Sequence, residues 1–355
     1  MSKRILYMSC HEILEYDELK LFSELGYECY SLGAYTQPGG EEHRKRPPLE
    51  LPYNPHFIEL ALQYDRRKMH PEMLEGIDIV IVMHTPGFLT KAGGGPESWS
   101  PDLEEGNWPL FREFIKKGGR VIWRSIGQSI PHVERILAPL RAEGLEVVRY
   151  SPAEQTIQDN IGTDAVIRFY KDPDEFGGWT GERAQAINFT QSLKDRGDFT
   201  GYRMIERVFD GLPAKVYGPG NENLGLLHGG LLSYKEMLQT MREARAFFYH
   251  GTYPASYTLS FIEAMMTGIP IVAVGPKNGN SMSMFPNQST YEIPSLIEHG
   301  VSGFVSDDPV ELKKYLQQLI GDPRLARSIS AFGRARAIEL FGKAKIKAQW
   351  KEYLG

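Results

Sequence analysis

Apolar and polar positions along the chain alternate between short, almost wholly apolar runs and longer amphipathic ones. Residues 3–9 (KRILYMS) read as a buried first strand, 15–25 as a helix closed by Gly26, and 28–32 as a returning strand. The rhythm continues with a helix over 55–64, a strand over 78–83, a helix over 108–117 stopped by Gly118 and Gly119, a strand over 120–124, a helix over 132–143 and a strand over 146–150. This alternation predicts a doubly wound α/β domain with a parallel sheet.

Between 171 and 183 the stretch KDPDEFGGWTGER has proline, glycines and no periodicity, which predicts a linker. A second alternating series follows: a strand over 187–189, a polar loop over 190–198, a helix over 201–209, a strand over 215–217, and a helix over 233–244 opened by a capping box of Ser233 and Glu236. Residues 249–275, YHGTYPASYTLSFIEAMMTGIPIVAVG, then read as a strand end, a turn, a helix over 257–267 and a strand over 269–274. A glycine-rich return over 299–305 and helices over 309–320 and 323–353 complete the series. The expected division is a domain over 1–170, a linker over 171–184 and a domain over 185–355, with the last helix a candidate to cross back to the first domain.

A length of 355 residues agrees with two domains, and an apolar fraction of 41% with a globular protein. The net charge of −5 gives the whole chain no electrostatic footprint for nucleic acid. With only Cys10 and Cys29, a disulfide framework is excluded and a cytoplasmic location is the simplest expectation. No run approaches ~20 apolar residues, so any membrane contact is expected to be peripheral.

The chemistry concentrates at the start of the helix expected over 257–267. The backbone N–H groups of Ser256, Tyr257, Thr258 and Leu259 would lack helical partners there and offer an anion site suited to phosphate. Glu263, further inside, would be a poor phosphate ligand but a good acceptor for sugar hydroxyls. His11 and Glu12 follow the first strand, where open α/β sheets place ligands; they either touch substrate or serve the helix that follows. The run His43-Arg44-Lys45-Arg46 is either a solvated loop or a positive rim for an anionic acceptor, and the glycine-rich 92–96 either a loop over a cleft or a plain connector. The sequence has no G-x-S-x-G elbow, no H-E-x-x-H, no Walker loop and no dinucleotide fingerprint. No metal site or cofactor is expected, and a cleft between the domains is the default ligand site.

The second half resembles the GT-B nucleotide-sugar glycosyltransferases, in particular the large retaining family with an E-x(7)-E motif. The resemblance rests on residues 233–275 and on IEHGVSGFVSDD at 297–308. It implies two Rossmann-like domains, a nucleotide-sugar donor and transfer to an acceptor hydroxyl, with retention and without a metal. Glu263 then stands for the motif's second glutamate, which holds donor ribose. Ser256, Tyr257 and Thr258 would face the diphosphate, as would Lys194 and Arg196 in a loosely matching loop. Tyr234 and Leu232 fall where the base pocket is built, and His84, at the end of its strand, where relatives keep a histidine near the sugar. The first motif glutamate is replaced by Ala255, which puts the donor sugar and the reaction itself in doubt. A nucleotide-sugar epimerase and a binding protein without turnover therefore stay open. The acceptor is not specified, and a nucleic-acid base is a minority alternative.

Overall fold

The computed structural model describes residues 2–36, 46–52, 54–64, 68–83, 85–92, 101–127, 130–285 and 287–355. The chain divides into two units, Met1–Ile167 with Lys347–Gly355, and Arg168–Ile346.

In chain order the first unit runs β1 (Arg4–Ser9), α1 (Glu12–Glu24), β2 (Glu28–Ser31), α2 (Pro55–Gln63), β3 (Ile79–Met83), the short antiparallel pair β4 (Lys91–Ala92) and β5 (Pro101–Asp102), α3 (Trp108–Lys116), β6 (Arg120–Arg124), α4 (Pro131–Ala142), β7 (Glu146–Arg149) and β8 (Ala165–Val166). Its main sheet has the order β2-β1-β3-β6-β7-β8, and every pairing in it is parallel. Strands covered on both faces must be apolar throughout, and all five residues of β3 (IVIVM) are buried. Helix α1 begins at Glu12, earlier than the expected residue 15, because His11 supplies its N-cap. Two buried ion pairs stiffen this unit, Arg124–Glu18 at 3.0 Å and Arg149–Glu134 at 2.7 Å. The Tyr7 hydroxyl donates to Glu18 at 2.7 Å.

The second unit runs β9 (Arg183–Phe189), α5 (Leu193–Arg196), α6 (Tyr202–Phe209), β10 (Ala214–Tyr217), β11 (His228–Gly230), α7 (Tyr234–Glu243), β12 (Ala244–Tyr249), α8 (Leu259–Thr267), β13 (Ile271–Val274), α9 (Pro276–Gly279), α10 (Ile293–Leu296), β14 (Phe304–Ser306), α11 (Pro309–Gly321) and α12 (Pro323–Phe341). Its sheet order is β11-β10-β9-β12-β13-β14, again with every pairing parallel. The stretch 171–184 lies inside this unit, where the Trp179 indole donates to the Ala244 carbonyl at 2.8 Å. The capping box at α7 forms as expected: the Ser233 N–H donates to Glu236 at 2.7 Å and the Glu236 N–H to the Ser233 hydroxyl at 3.4 Å.

The helix expected over 323–353 is broken at Gly342, whose backbone is extended (φ −64°, ψ 137°). A final helix, α13 (Lys343–Leu354), follows. In the first unit its Trp350 is fully buried, with the ring edge-on to Phe22 at 5.0 Å and 5.3 Å from the Arg124 guanidinium. Among the described residues no helix is long and apolar enough to cross a membrane.

Candidate functional site

In open α/β sheets ligands bind at the carboxyl ends of strands where the strand order reverses. That point lies between β1 and β3 in the first unit and between β9 and β12 in the second. In the second unit β12 ends at Tyr249, and a turn over 250–257 leads into α8. Gly251 takes a positive φ of 92° in this turn, a conformation that favours glycine.

Helix α8 starts at Leu259 with Thr258 as its N-cap, two positions later than expected. Tertiary packing holds the preceding residues outside the helix. Ser256 and Tyr257 are buried, and the Tyr257 ring lies edge-on to Phe169 at 6.5 Å and to Phe341 at 5.4 Å. The Thr258 N–H donates to the Tyr249 hydroxyl at 3.0 Å, so it is not offered to a ligand as expected. Burial pushes the Tyr249 phenol well above its ordinary pKa, against the opposing bond from Thr258, and keeps it neutral. No side chain caps α8 and no acid stands in its first turn. The N–H groups of Leu259, Ser260 and Phe261 therefore meet no partner among the described residues. They form an electropositive opening at the end of a helix dipole.

Behind this opening Glu263 is buried, and its Oε1 lies 2.8 Å from the Lys171 ammonium. A second buried carboxylate, Glu292, binds the Arg168 guanidinium through both oxygens, and its backbone N–H donates to the Ser256 carbonyl at 3.0 Å. Arg168 also lies over the Tyr257 and Phe341 rings at 5.6 and 5.5 Å. Burial opposes its charge, but the Glu292 carboxylate and Tyr257 beside it raise its pKa. Ala255 brings only a methyl group to the turn, and its N–H donates to the Thr252 carbonyl at 2.8 Å.

Lys194 and Arg196 sit on the four-residue α5, which follows β9, the strand next to β12. Both are exposed, with the Lys194 ammonium 5.9 Å from the Tyr202 ring. Among the described residues, no hydrogen bond or ion pair joins either to α8. Tyr234 opens α7; its hydroxyl donates to Glu175 and its ring lies edge-on to Phe176 at 6.4 Å. Leu232 is half-buried just before it. In the first unit His11 accepts the Leu14 N–H at Nδ1 (3.4 Å) and Glu12 stands in the first turn of α1. His84, the three residues 43–45 of the basic run and most of the loop at 92–96 lie outside the described residues. Among those described, no group of three or more His, Cys, Asp or Glu side chains is arranged to hold a metal ion.

Sequence reasoning missed Lys171, Arg168, Glu292 and Tyr249. It also passed over His250, which follows β12 at the point of strand reversal. Burial holds the His250 imidazole below its ordinary pKa, and the ring lies so close to Gly201 that a Cβ there would come within 2.1 Å of it. A histidine just after an apolar strand is the one signal that could have marked it.

No family model and no curated protein matches the sequence. Solved structures do match the fold over its whole length, and they define it as GT-B. HepE from Anabaena in complex with UDP-glucose matches with a TM-score of 0.65 at 15% identity, covering 99% of each chain. A sucrose-phosphate synthase from Thermosynechococcus elongatus gives 0.65 at 14% identity, over 99% of this chain and 98% of that one. A glycosyltransferase from Rickettsia africae gives 0.61 at 14% identity, covering 99% of each.

Proposed function

We propose that the protein is a glycosyltransferase that moves a sugar from a nucleotide-sugar donor to an acceptor hydroxyl, with retention and without a metal ion. The observation that carries this reading is the uncapped start of α8 with Glu263 on the same helix, in a fold shared with a protein solved with UDP-glucose. In this reading the second unit is the donor domain. The N–H groups of Leu259, Ser260 and Phe261 receive the diphosphate, and the Glu263 carboxylate accepts from the ribose hydroxyls. As the bond from the anomeric carbon to the diphosphate oxygen breaks, negative charge grows on the leaving group. Fixed N–H dipoles stabilise that charge without reorganising. Lys194 and Arg196, exposed on α5 after the neighbouring strand β9, supply further positive charge to the diphosphate in this reading.

Ala255 favours a second reading, a nucleotide-sugar binder without turnover, because it removes a carboxylate that the resembling family keeps beside the sugar. Calorimetric titration with UDP and a panel of nucleotide sugars, followed by NMR detection of donor hydrolysis, separates the two. Binding with slow release of free sugar is expected. Binding without any turnover, acceptors included, supports the second reading, and a protein that binds no nucleotide sugar would sink both.

A further inference from the structure

The two carboxylates beside the start of α8 are each matched by a cation from one short stretch, Arg168 to Lys171. Lys171 is the more constrained of the two cations. Its own N–H donates to the Phe341 carbonyl at 3.0 Å, a parallel bridge joins it to Gly342, and its ammonium lies 5.2 Å from the centre of the Phe176 ring. The next residue, Asp172, is tied to Lys343 at 3.1 Å. Both backbone and side chain of Lys171 are thereby fixed, and with them the position of the charge that faces Glu263.

A buried ion pair is a weak source of stability, because desolvation offsets most of the attraction and well-packed apolar residues often do as well. The neighbours of Glu263 along α8 (Phe261, Ile262, Ala264, Met265 and Met266) are all buried and apolar. Packing alone would favour another apolar side chain here, so the charged pair needs a different explanation. We propose that Lys171 is a positioning residue. It holds the Glu263 carboxylate oriented to accept from the donor's ribose hydroxyls, and so makes the site selective for ribonucleotides over 2′-deoxyribonucleotides. The inference rests on the donor reading above. The ammonium is suited to this role: it is a compact point charge that neutralises the acid, and it donates without competing as an acceptor.

The test is calorimetric: affinities of the full chain for UDP and for 2′-deoxy-UDP, in the wild type and in Lys171→Met, Lys171→Arg, Glu263→Gln and the double variant Lys171→Met/Glu263→Gln. A hydrogen bond to a charged acceptor predicts that the wild type prefers UDP by about 10-fold or more. Lys171→Met should weaken UDP by a similar factor while leaving 2′-deoxy-UDP nearly unchanged, and Lys171→Arg should retain part of the preference. The double variant removes both charges, so it stays informative if the single one, with an unpaired buried acid, does not fold. It should lose no more UDP affinity than Glu263→Gln alone. A folded Lys171→Met or double variant that keeps the wild-type preference overturns the proposal. A wild type that binds both nucleotides equally also overturns it while leaving the donor reading intact. A wild type that binds neither of these nor any other ribonucleoside diphosphate overturns both.

Discussion

Helices α1 and α8 leave the carboxyl end of a strand beside the strand reversal of their own sheet, yet their first turns differ in chemistry. At α1 the His11 imidazole accepts the Leu14 N–H, and Glu12 and Glu15 place negative charge in the first turn. That turn satisfies one of its own donors, the Leu14 N–H, and its acids repel an anion. At α8 no side chain caps the helix, no acid stands in its first turn, and three N–H groups are left open. A doubly wound unit thus does not create an anion site by its topology alone. An uncapped, acid-free helix start at that point, as at α8, leaves donors that an anion can meet, and the missing cap costs stability which a ligand can restore.

The sharpest way to break this contrast is to give α8 an acid of the kind α1 has. Ser260→Glu should lower UDP affinity on the order of 100-fold, since a like charge at ~4 Å opposes binding by up to about 4 kcal/mol before screening. It should also raise the melting temperature slightly by complementing the helix dipole. Unchanged UDP affinity in calorimetry would remove the diphosphate from α8. A smaller effect comes from the opposite change. His11→Ala should cost about 1 kcal/mol as the α1 cap is lost while UDP affinity stays within about twofold; a loss of affinity comparable to that of Ser260→Glu would make the first unit part of the donor site.

The smallest effect concerns Glu15, which is buried and accepts from the N–H groups of Ala34 and Tyr35 at 2.9 Å and from the Ser31 hydroxyl. Burial raises its pKa above the usual 4.5, against those three bonds. An acid with a raised folded pKa binds its proton more tightly folded than unfolded. Its contribution is therefore full below about pH 4.5 and is lost as pH rises through the raised value. Glu15→Gln should flatten the fall of melting temperature with pH above 4.5, and a slope identical to the wild type would show that Glu15 is not its source.

The architecture was legible because strands buried on both faces must be apolar runs, as β3 is, and because glycines mark helix ends. Glu263 was legible only through a family motif. The start of α8 was not, because Tyr257 is buried against Phe169 and Phe341 from segments distant in sequence. Nor was the pairing of Glu263 with Lys171, which sits in a stretch whose prolines and glycines look like a linker. Composition reports local backbone preference but says nothing of which buried charges meet. The break at Gly342 escaped notice for the same reason, since a bridge to Lys171 fixes it.

The burial of Trp350 in the first unit has a consequence for the order of events on the ribosome. When residues 1–167 have been synthesised, the ring that lies against Phe22 and Arg124 does not yet exist. The second unit is continuous from Arg168 to Ile346 and can complete its core before Trp350 is added. The half of the protein that begins first is therefore the half that finishes last, and nascent chains stalled before residue 350 should expose an unfinished surface over Phe22.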